Sequence, residues 1–318
     1  MILLLGATGY IGSVFAGELQ QRGLAFRAVS RREVDYTRFD QLLELLRSLR
    51  PEFVVNAAGY TGKPNVDACE LDMGGTISGN VTLPQTIAHA CAVAGVPWGH
   101  VSSGCIYSGA KLPATNGWRA CKDLTEPSAH ALVETSPEII RGFTEADPPN
   151  FCFQDLPCSF YSGTKALGEA AIAGHGNSYI WRLRIPYDEN DNPRNYLSKI
   201  QNYAKVYDNV NSISHRADFA RACLDLWALR APFGTYNVTN PGFITTRQVA
   251  ALIQQIIAPD RVFEFWKNDE EFYRVAARTP RSNCVLDVSK LLATGIKIRP
   301  VQEALADSLR RWKKAGKS

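Results

Sequence analysis

The sequence predicts an α/β fold with a doubly wound parallel sheet and a smaller C-terminal lobe. Strand-like and helix-like patterns alternate over residues 1–185, which is typical of a parallel sheet with helices on both faces. A glycine-rich turn at 6–12 joins the first strand to the first helix. A chain of 318 residues, 45% of them hydrophobic, is long enough for one such domain with an appended lobe.

The elements of the first 185 residues follow from apolar runs and helical spacing. An apolar run at 2–5 predicts a buried strand, and apolar residues at helical spacing over 11–19 predict a helix that Gly23 ends. The remaining elements, in chain order, are a strand at 25–29, a leucine-rich helix over 42–49, a strand at 53–56, a helix over 77–94, a strand at 98–102, a helix from Tyr161 and a strand at 179–185.

The pattern is less regular in two parts of the chain. Residues 110–150 are rich in Pro, Thr, Glu and Ala, and they predict an irregular excursion that could serve as a lid. Beyond residue 186 we expect a strand at 235–238, a helix over 246–258 that a capping box at 245–248 opens, and a last helix over 300–314. We therefore expect a first domain at 1–185 and a lobe at 186–318 that is interleaved with it.

The glycine turn predicts a Rossmann-like dinucleotide site in the first domain. Glycine allows the tight turn and the close approach of a ligand to the backbone, and the N-terminus of the following helix attracts a pyrophosphate. The spacing is Gly-x-x-Gly-x-x-Gly, which differs from the Gly-x-Gly-x-x-Gly of ordinary dehydrogenases. We expect cofactor contacts from Gly6, Thr8, Gly9, Tyr10, Ile11 and Gly12.

The end of the second strand indicates which cofactor is preferred. Ser30, Arg31 and Arg32 follow this strand, where an acidic residue would bind a ribose 2′-hydroxyl and basic residues suit a 2′-phosphate. The sequence therefore predicts that the protein binds NADP(H) more tightly than NAD(H). A solvated surface pair of arginines is the alternative.

A tyrosine and a lysine provide a candidate for proton transfer to or from a carbonyl or hydroxyl group. Tyr161 and Lys165 are four residues apart at the start of a predicted helix, so they share one face of it. We expect the ammonium group to lower the pKa of the phenol from its usual value of about 10. Ser103 and Asn56 lie at the ends of two of the predicted strands, where the active residues of a parallel sheet gather.

Composition argues against several other classes of protein. The net charge of +4 is too small to indicate a nucleic-acid or membrane partner, and no apolar run approaches the ~20 residues of a membrane span. The eight cysteines show neither zinc spacing nor a Cys-x-x-Cys pair, so we expect no metal site and free thiols. With no visible secretory signal, a cytoplasmic location is expected.

Taken together, these motifs resemble the extended short-chain dehydrogenase/reductase family over essentially the whole chain. Longer stretches are similar to a narrower branch, the plant-type nucleotide-rhamnose synthase 3,5-epimerase/4-reductases, and more distantly to GDP-fucose synthase and dTDP-4-dehydrorhamnose reductase. Residues 111–141 look like an insertion relative to that branch. The similar stretches are 56–70, 104–107, 160–165, 192–200, 239–242 and 280–283.

The resemblance implies roles for individual residues. Ser103 and Tyr161 would bind the oxygen of a ketone, Cys105 and Lys199 would exchange protons with the carbons beside it, and Lys165 would also bind the nicotinamide ribose. Further cofactor contacts would come from Asn56, Ala57 and Ala58. Substrate contacts would come from Thr61, Lys63, Ser103, Asn192, Arg194, Asn195, Arg281 and Asn283. A homodimer formed through the helix at 77–94 and the Tyr161 helix is also implied.

Three functions are compatible with these residues. The first is a bifunctional 3,5-epimerase/4-reductase that converts a UDP- or dTDP-linked 4-keto-6-deoxyglucose to the L-rhamnose nucleotide with NADPH. The second is a reductase only, in which Cys105 is a packing residue and a separate epimerase acts first. The third is a catalytically silent NADP-binding regulatory subunit, similar to the β subunit of methionine adenosyltransferase. The sequence leaves the nucleotide open.

Overall fold

A six-stranded parallel sheet forms the centre of the protein, for which a computed structural model describes residues 1–315. The strands of this sheet are β1 (Ile2–Leu5), β2 (Phe26–Val29), β3 (Phe53–Asn56), β4 (Trp98–Ser103), β7 (Ser178–Leu183) and β12 (Gly234–Asn237). Their order across the sheet is β12-β7-β4-β3-β1-β2, and every neighbouring pair is parallel. The predicted α/β fold is confirmed.

Helices cover both faces of the sheet because its strands are apolar on both sides. Alternate residues of β1 enter two different cores: Ile2 and Leu4 pack on one face, and Leu3 and Leu5 on the other. The first face carries α1 (Gly12–Gln21) and α9 (Arg216–Ala228). The second face carries α2 (Phe39–Leu49), α5 (Leu83–Ala94) and the end of α7 (Phe160–Ile172).

The predicted helix over 77–94 is more complex in the structure. It is preceded by α3 (Ala68–Leu71) and begins as α4 (Met73–Ile77), and a π-helical turn at Ser78–Thr82 then leads into α5. Asp72 caps α4 by accepting a hydrogen bond from Gly75 N. The π-helical turn packs closely on α7, because a Cβ on Gly168 would lie only 2.1 Å from Asn80 O. Helical spacing in the sequence predicts neither the separate helix α4 nor the π-helical turn.

The prediction of an irregular segment at 110–150 is wrong for the first part of that segment. The strands β5 (Ala110–Ala114) and β6 (Gly117–Cys121) form an antiparallel hairpin, and α6 (Pro127–Thr135) follows. The apolar side of this insertion packs against Val210 and Val285. None of residues 111–141, all of which the structure describes, lines the main cavity, so the lid expected there is also wrong.

The C-terminal lobe has its own core and several two-stranded sheets. The predicted capping box is confirmed, since Thr245 and Gln248 exchange both of its hydrogen bonds at the start of α10. The remaining elements are β8 (Pro186–Tyr187), α8 (Tyr196–Asn202), β9 (Lys205–Val206), β10 (Val210–Asn211), β11 (Ser214–His215), β13 (Ile244–Thr245), α10 (Thr246–Ile256), β14 (Glu264–Phe265), α11 (Asp269–Val275), α12 (Ser289–Leu292) and α13 (Val301–Arg310).

The second part of the chain returns to the central sheet through β12, which pairs with β7 at one edge. The sheet therefore combines strands from both parts of the chain. In residues 1–315 no helix has the length and apolar character that a membrane crossing requires.

Candidate active site

One cavity of about 1280 Å³ lies at the carboxyl ends of the central strands, between the sheet and the C-terminal lobe. Loops after β1, β2, β3, β4 and β7 form one wall, and α8 and residues 281–283 contribute to the other. This is where ligands bind in open parallel sheets. The predicted site residues that line it are Gly6, Thr8, Gly9, Tyr10, Ile11, Ser30, Arg31, Ala57, Ala58, Thr61, Ser103, Tyr161, Lys165, Arg194, Lys199, Arg281 and Asn283.

The glycine turn is packed so tightly that only glycine fits at two of its positions. Gly6 has φ +79°, and a Cβ there would lie 2.5 Å from Ala58 N. A Cβ on Gly12 would lie 1.9 Å from Gly6 O. Gly12 itself lies outside the cavity wall, so its role is to seat α1 against the turn. The resulting cradle at the start of α1 suits a pyrophosphate.

The end of β2 carries both a basic and an acidic side chain into the cavity. Arg31 lines the cavity, whereas the exposed Arg32 does not. Glu33 also lines it and accepts hydrogen bonds from Ser30 N at 2.9 Å and Ser30 Oγ at 3.0 Å. These bonds lower the pKa of Glu33, so its carboxylate is charged. The cofactor contact of Arg32 stays a prediction, and the acidic Glu33 is a cavity residue that the sequence does not predict.

Asn56 holds the turn after β3 and does not line the cavity. Its side chain is buried, its Oδ1 accepts a hydrogen bond from Ala58 N at 3.0 Å, and its Nδ2 lies 2.9 Å from His100 Nδ1. The cofactor contact of Asn56 stays a prediction, and both polar atoms of its side chain are used inside the protein. The residue shapes the Ala57–Ala58 wall.

Ser103, Cys105, Tyr161 and Lys165 lie together at the end of β4 and the start of α7. Ser159 caps α7 by accepting a hydrogen bond from Ser162 N, which fixes Tyr161 in the first turn of the helix. Burial raises the pKa of Tyr161, while hydrogen bonding with Ser103 lowers it. Burial also lowers the pKa of Lys165. The predicted lowering of the Tyr161 pKa by Lys165 is not found, because burial of the phenol outweighs the opposing charges.

Asn80 and Gly59 complete the environment of Lys165. A Cβ on Gly59 would lie 3.5 Å from both Lys165 Nζ and Asn80 Oδ1. Asn80 is buried, and its side chain accepts from Tyr60 N at 3.0 Å and donates to Tyr60 O at 2.9 Å. The side chain of Asn80 therefore orders the 59–60 turn beside Lys165.

Cys105 lies behind the cavity wall. Its side chain is 5% exposed and belongs to an apolar cluster against which Tyr161 packs. Burial raises the pKa of its thiol, whereas hydrogen bonding with Ser103 and Ser162 lowers it. The structure thus brings Cys105 beside Ser103 and Tyr161 while keeping it almost fully covered.

Lys199 reaches the cavity from α8 on the opposite wall. Burial lowers the pKa of its ammonium, and the positive charges of Arg194 and Arg281 lower it further.

Arg194 donates from Nη1 to Thr61 Oγ1 at 3.2 Å and so links the two walls. Arg281 forms a bidentate pair with Asp67 at 2.7 and 2.8 Å, and Asn283 accepts from Asn211 Nδ2 at 3.1 Å.

Three predicted substrate contacts lie elsewhere among the described residues. Lys63 is exposed, and Asn192 accepts from Arg194 N in the loop before α8. Asn195 is fully buried, caps α8 through Leu197 N and donates to Asp188. The substrate contact of Asn195 stays a prediction, and the hydrogen bonds of its side chain position α8. Neither Lys63 nor Asn192 lines the cavity.

Arg184 lies just after β7 and lines the cavity, and the sequence does not predict it as a site residue. In the sequence Arg182 and Arg184 are part of the apolar run that predicts the strand at 179–185. An arginine in an otherwise apolar strand that ends at the cavity is the signal that could have identified it. Among residues 1–315, no group of three or more His, Cys, Asp or Glu side chains could bind a metal ion.

The parallel sheet, the glycine cradle and the Ser103, Tyr161 and Lys165 cluster define the class of protein as a Rossmann-like short-chain dehydrogenase/reductase. The family described as the RmlD substrate binding domain matches residues 1–314. The chain therefore belongs to this family and is an RmlD-like extended short-chain dehydrogenase/reductase.

The similar proteins include two enzymes of Arabidopsis thaliana. A bifunctional dTDP-4-dehydrorhamnose 3,5-epimerase/dTDP-4-dehydrorhamnose reductase is 31% identical to this chain. The match covers 95% of this chain and 90% of the Arabidopsis enzyme. A trifunctional UDP-glucose 4,6-dehydratase/UDP-4-keto-6-deoxy-D-glucose 3,5-epimerase/UDP-4-keto-L-rhamnose-reductase is 30% identical over 95% of this chain, which spans only 40% of that enzyme's length.

Two solved structures share the fold. The UDP-rhamnose synthase of Acanthamoeba polyphaga mimivirus superposes with a TM-score of 0.81 at 22% identity, and the match covers 98% of both chains. A dTDP-4-dehydrorhamnose reductase of Clostridium acetobutylicum gives a TM-score of 0.75 at 21% identity, over 97% of this chain and 98% of its own. The resemblance to the family that the sequence predicts is confirmed.

Proposed function

We propose that the protein is a bifunctional 3,5-epimerase/4-reductase that converts a UDP- or dTDP-linked 4-keto-6-deoxyglucose to the corresponding L-rhamnose nucleotide. The observation that carries the proposal is the placement of two kinds of proton donor around one cavity. Tyr161 and Ser103 lie on the sheet side, and Lys199 faces them from α8 with a lowered pKa. The Arabidopsis epimerase/reductase at 31% identity supports this activity.

A nicotinamide cofactor fits the cradle, since a Cβ at Gly6 would collide with Ala58 N at 2.5 Å. Gly6 to Ile11 would bind its pyrophosphate, Arg31 its adenine ribose, and Lys165 its nicotinamide ribose. When bound, the cofactor supplies the hydride for carbon 4 of the sugar. We propose NADPH as the preferred form because Arg31 lines the cavity near the end of β2.

Epimerisation requires removal of a proton and its return on the opposite face of the sugar. The ketone acidifies the hydrogens on carbons 3 and 5, and hydroxyl donors at its oxygen stabilise the enolate. Ser103 and Tyr161 supply those donors. Cys105 and Lys199 are the proposed acid–base pair, because a thiol can exchange protons and burial lowers the pKa of the half-buried Lys199 ammonium.

Reduction requires a proton on the oxygen of carbon 4, and Tyr161 is the proposed donor. The raised pKa of Tyr161 keeps its phenol protonated before the reaction, which suits a proton donor. Lys165 would lie beside the phenolate that remains and stabilise it. Arg194, Arg281, Asn283 and Thr61 are the proposed contacts to the nucleotide and sugar, since they line the cavity.

Identification of the product sugar tests this function directly. The protein is incubated with NADPH and 4-keto-6-deoxyglucose linked to UDP in one reaction and to dTDP in another. We expect the L-rhamnose nucleotide in at least one of them. If the sugar is reduced without inversion, the reductase-only alternative, in which Cys105 is a packing residue, replaces the proposal. The almost complete burial of Cys105 is the observation that favours this alternative.

A homodimer is also proposed, through the outer faces of α3, α4 and α7. Leu71, Met73, Ile77 and Leu167 expose apolar side chains on this side of the molecule. By contrast, Ile87 and Cys91 pack into the core on the sheet and are unavailable to a partner. Light scattering at micromolar concentration should give twice the mass of one chain, and a monomer would contradict the dimer.

A further inference from the structure

Two acidic residues at the start of α3 have no part in the function described so far. Asp67 and Glu70 belong to the stretch 56–70 that resembles the plant-type branch, yet neither of them lines the cavity. Both are half-buried, and Cys69 between them is fully buried, so α3 is fixed against the rest of the protein. Each carboxylate binds a segment of the chain that does reach the cavity.

Asp67 binds Arg281 from outside the cavity. The two residues are 214 positions apart in the chain, and Oδ1 and Oδ2 of Asp67 accept from Nη1 and Nη2 of Arg281 at 2.7 and 2.8 Å. Arg281 lines the cavity and Asp67 does not. A guanidinium is a planar fork with further N–H groups outside such a pair, so the pair fixes the direction in which those groups can bind a ligand.

Glu70 binds two segments through a single oxygen. Its Oε1 accepts from Phe160 N at 2.7 Å and from Thr279 Oγ1 at 2.8 Å. Phe160 begins α7 and directly precedes Tyr161, and a backbone N–H in the first turn of a helix has no acceptor within that helix. Thr279 is buried and lies two residues before Arg281. Glu70 therefore ties the start of the Tyr161 helix to the segment that carries Arg281.

These contacts matter because two parts of a nucleotide sugar must be held at a fixed separation. The proposed function assigns the nucleotide to Arg281 and the ketone of the sugar to Tyr161, and α3 is hydrogen-bonded to both segments. A side chain that is ordered before binding loses less entropy when the ligand arrives. A reacting group displaced by about 1 Å can cost a factor of ~10² in rate.

We propose that Asp67 and Glu70 are positioning residues that set the separation between Arg281 and Tyr161. Asp67 orients the guanidinium toward the diphosphate of the substrate, and Glu70 fixes the first turn of α7. This role rests on the proposed function, because it takes a nucleotide diphosphate as the ligand of Arg281. Neither carboxylate contacts the substrate.

Orientation and charge make opposite predictions for the loss of the Asp67 carboxylate. Its negative charge repels a diphosphate, so its removal would tighten binding if charge dominated. Its removal also allows the Arg281 guanidinium to turn away, which would weaken binding. Because Asp67 lies outside the cavity wall and the interaction between charges falls with distance, we expect the loss of orientation to dominate.

Nucleotide titrations test the role of Asp67. Asp67→Asn keeps the size of the side chain and removes its charge, and the dissociation constants of UDP, dTDP and uridine are measured by calorimetry. We expect the UDP or dTDP constant to rise about tenfold and the constant of uridine, which has no phosphate, to stay unchanged. The matched control is Asp147→Asn, which breaks a half-buried pair with Lys111 away from the cavity and should change neither constant.

Single-turnover hydride transfer tests the role of Glu70. Glu70→Leu removes the acceptor and should slow hydride transfer by a factor of ~10 or more while NADPH affinity stays normal. Glu70→Gln keeps an acceptor oxygen and should restore most of the rate. Thr279→Val breaks only the bond between Thr279 and Glu70, so it should raise the UDP constant and leave hydride transfer at saturating substrate unchanged.

The outcomes separate this inference from the proposed function. If UDP or dTDP binds the unmutated protein and Asp67→Asn binds it equally well or more tightly, Asp67 does not position Arg281. Hydride transfer at the unmutated rate in Glu70→Leu would remove the role of Glu70. If that variant does not fold, Thr279→Val decides, and an unchanged UDP constant overturns the link to Arg281. Absence of deuterium exchange in the unmutated protein would remove the epimerase activity alone, whereas absence of binding by either nucleotide would remove the inference and the proposed function together.

Discussion

Gly12→Ala should weaken NADPH binding, because it disturbs the packing of α1 on the glycine turn. A Cβ on Gly12 would lie 1.9 Å from Gly6 O, whereas ordinary contact begins at 3.4 Å, so the start of α1 and the glycine turn must separate by about 3.4 − 1.9 = 1.5 Å. The same atoms form the predicted pyrophosphate cradle. Because a displacement of about 1 Å can cost a factor of ~10² where groups must be held in place, we expect the NADPH dissociation constant to rise by at least that factor.

The same helix offers a matched control. Gly17 lies in the middle of α1, and a Cβ there would meet no atom within 4 Å. Gly17→Ala should therefore stabilise the helix by roughly 0.5–1 kcal/mol and leave cofactor affinity unchanged. Both variants are compared by NADPH fluorescence titration and by thermal denaturation.

Two outcomes of the NADPH titrations would refute this reasoning. If Gly12→Ala binds NADPH as tightly as the unmutated protein, the contact between Gly12 and Gly6 does not shape the cofactor site. If both variants lose affinity to the same extent, the effect belongs to the helix as a whole and not to the turn.

Three further predictions concern the chemistry. Tyr161→Phe should slow hydride transfer by a factor of ~10² or more while NADPH titration stays normal, because it removes only the proton donor; unchanged turnover would exclude Tyr161 as the donor. Arg31→Ala with Arg32→Ala should narrow the difference between the NADPH and NADH dissociation constants. Arg32→Ala alone should leave that difference unchanged, because Arg32 does not line the cavity; equal affinities in the unmutated protein would remove the predicted preference. Lys199→Met should slow deuterium exchange and spare cofactor affinity, and exchange at the unmutated rate would contradict its role.

The sequence predicts the sheet and the cofactor cradle well because their signals are local. The apolar run at 2–5 and the glycines that follow it require a buried strand and a tight turn whatever the rest of the chain does. The capping box of Thr245 and Gln248 is local for the same reason. Such features depend on neighbouring residues only, and the structure confirms them.

The features that the sequence does not reveal depend on distant contacts. The sequence does not predict the hairpin β5–β6, because β6 is almost wholly exposed and so has no alternation of buried and exposed residues, and β5 contains Pro113. The family resemblance implies ligand contacts for Asn56 and Asn195. Their side chains in fact turn inward, to His100 and Asp188 respectively. Spacing identifies the segments that meet at a site but not the direction in which each side chain points.

Solvent deuterium exchange tests the central claim most directly. The 4-keto-6-deoxyglucose nucleotide is incubated with the protein in heavy water, and the recovered sugar is analysed by mass spectrometry beside an NADPH fluorescence titration. We expect deuterium at carbons 3 and 5 with the unmutated protein, and little or none with Cys105→Ser, whose NADPH affinity should be normal. If Cys105→Ser incorporates deuterium at the rate of the unmutated protein, Cys105 is a packing residue and the bifunctional mechanism is contradicted.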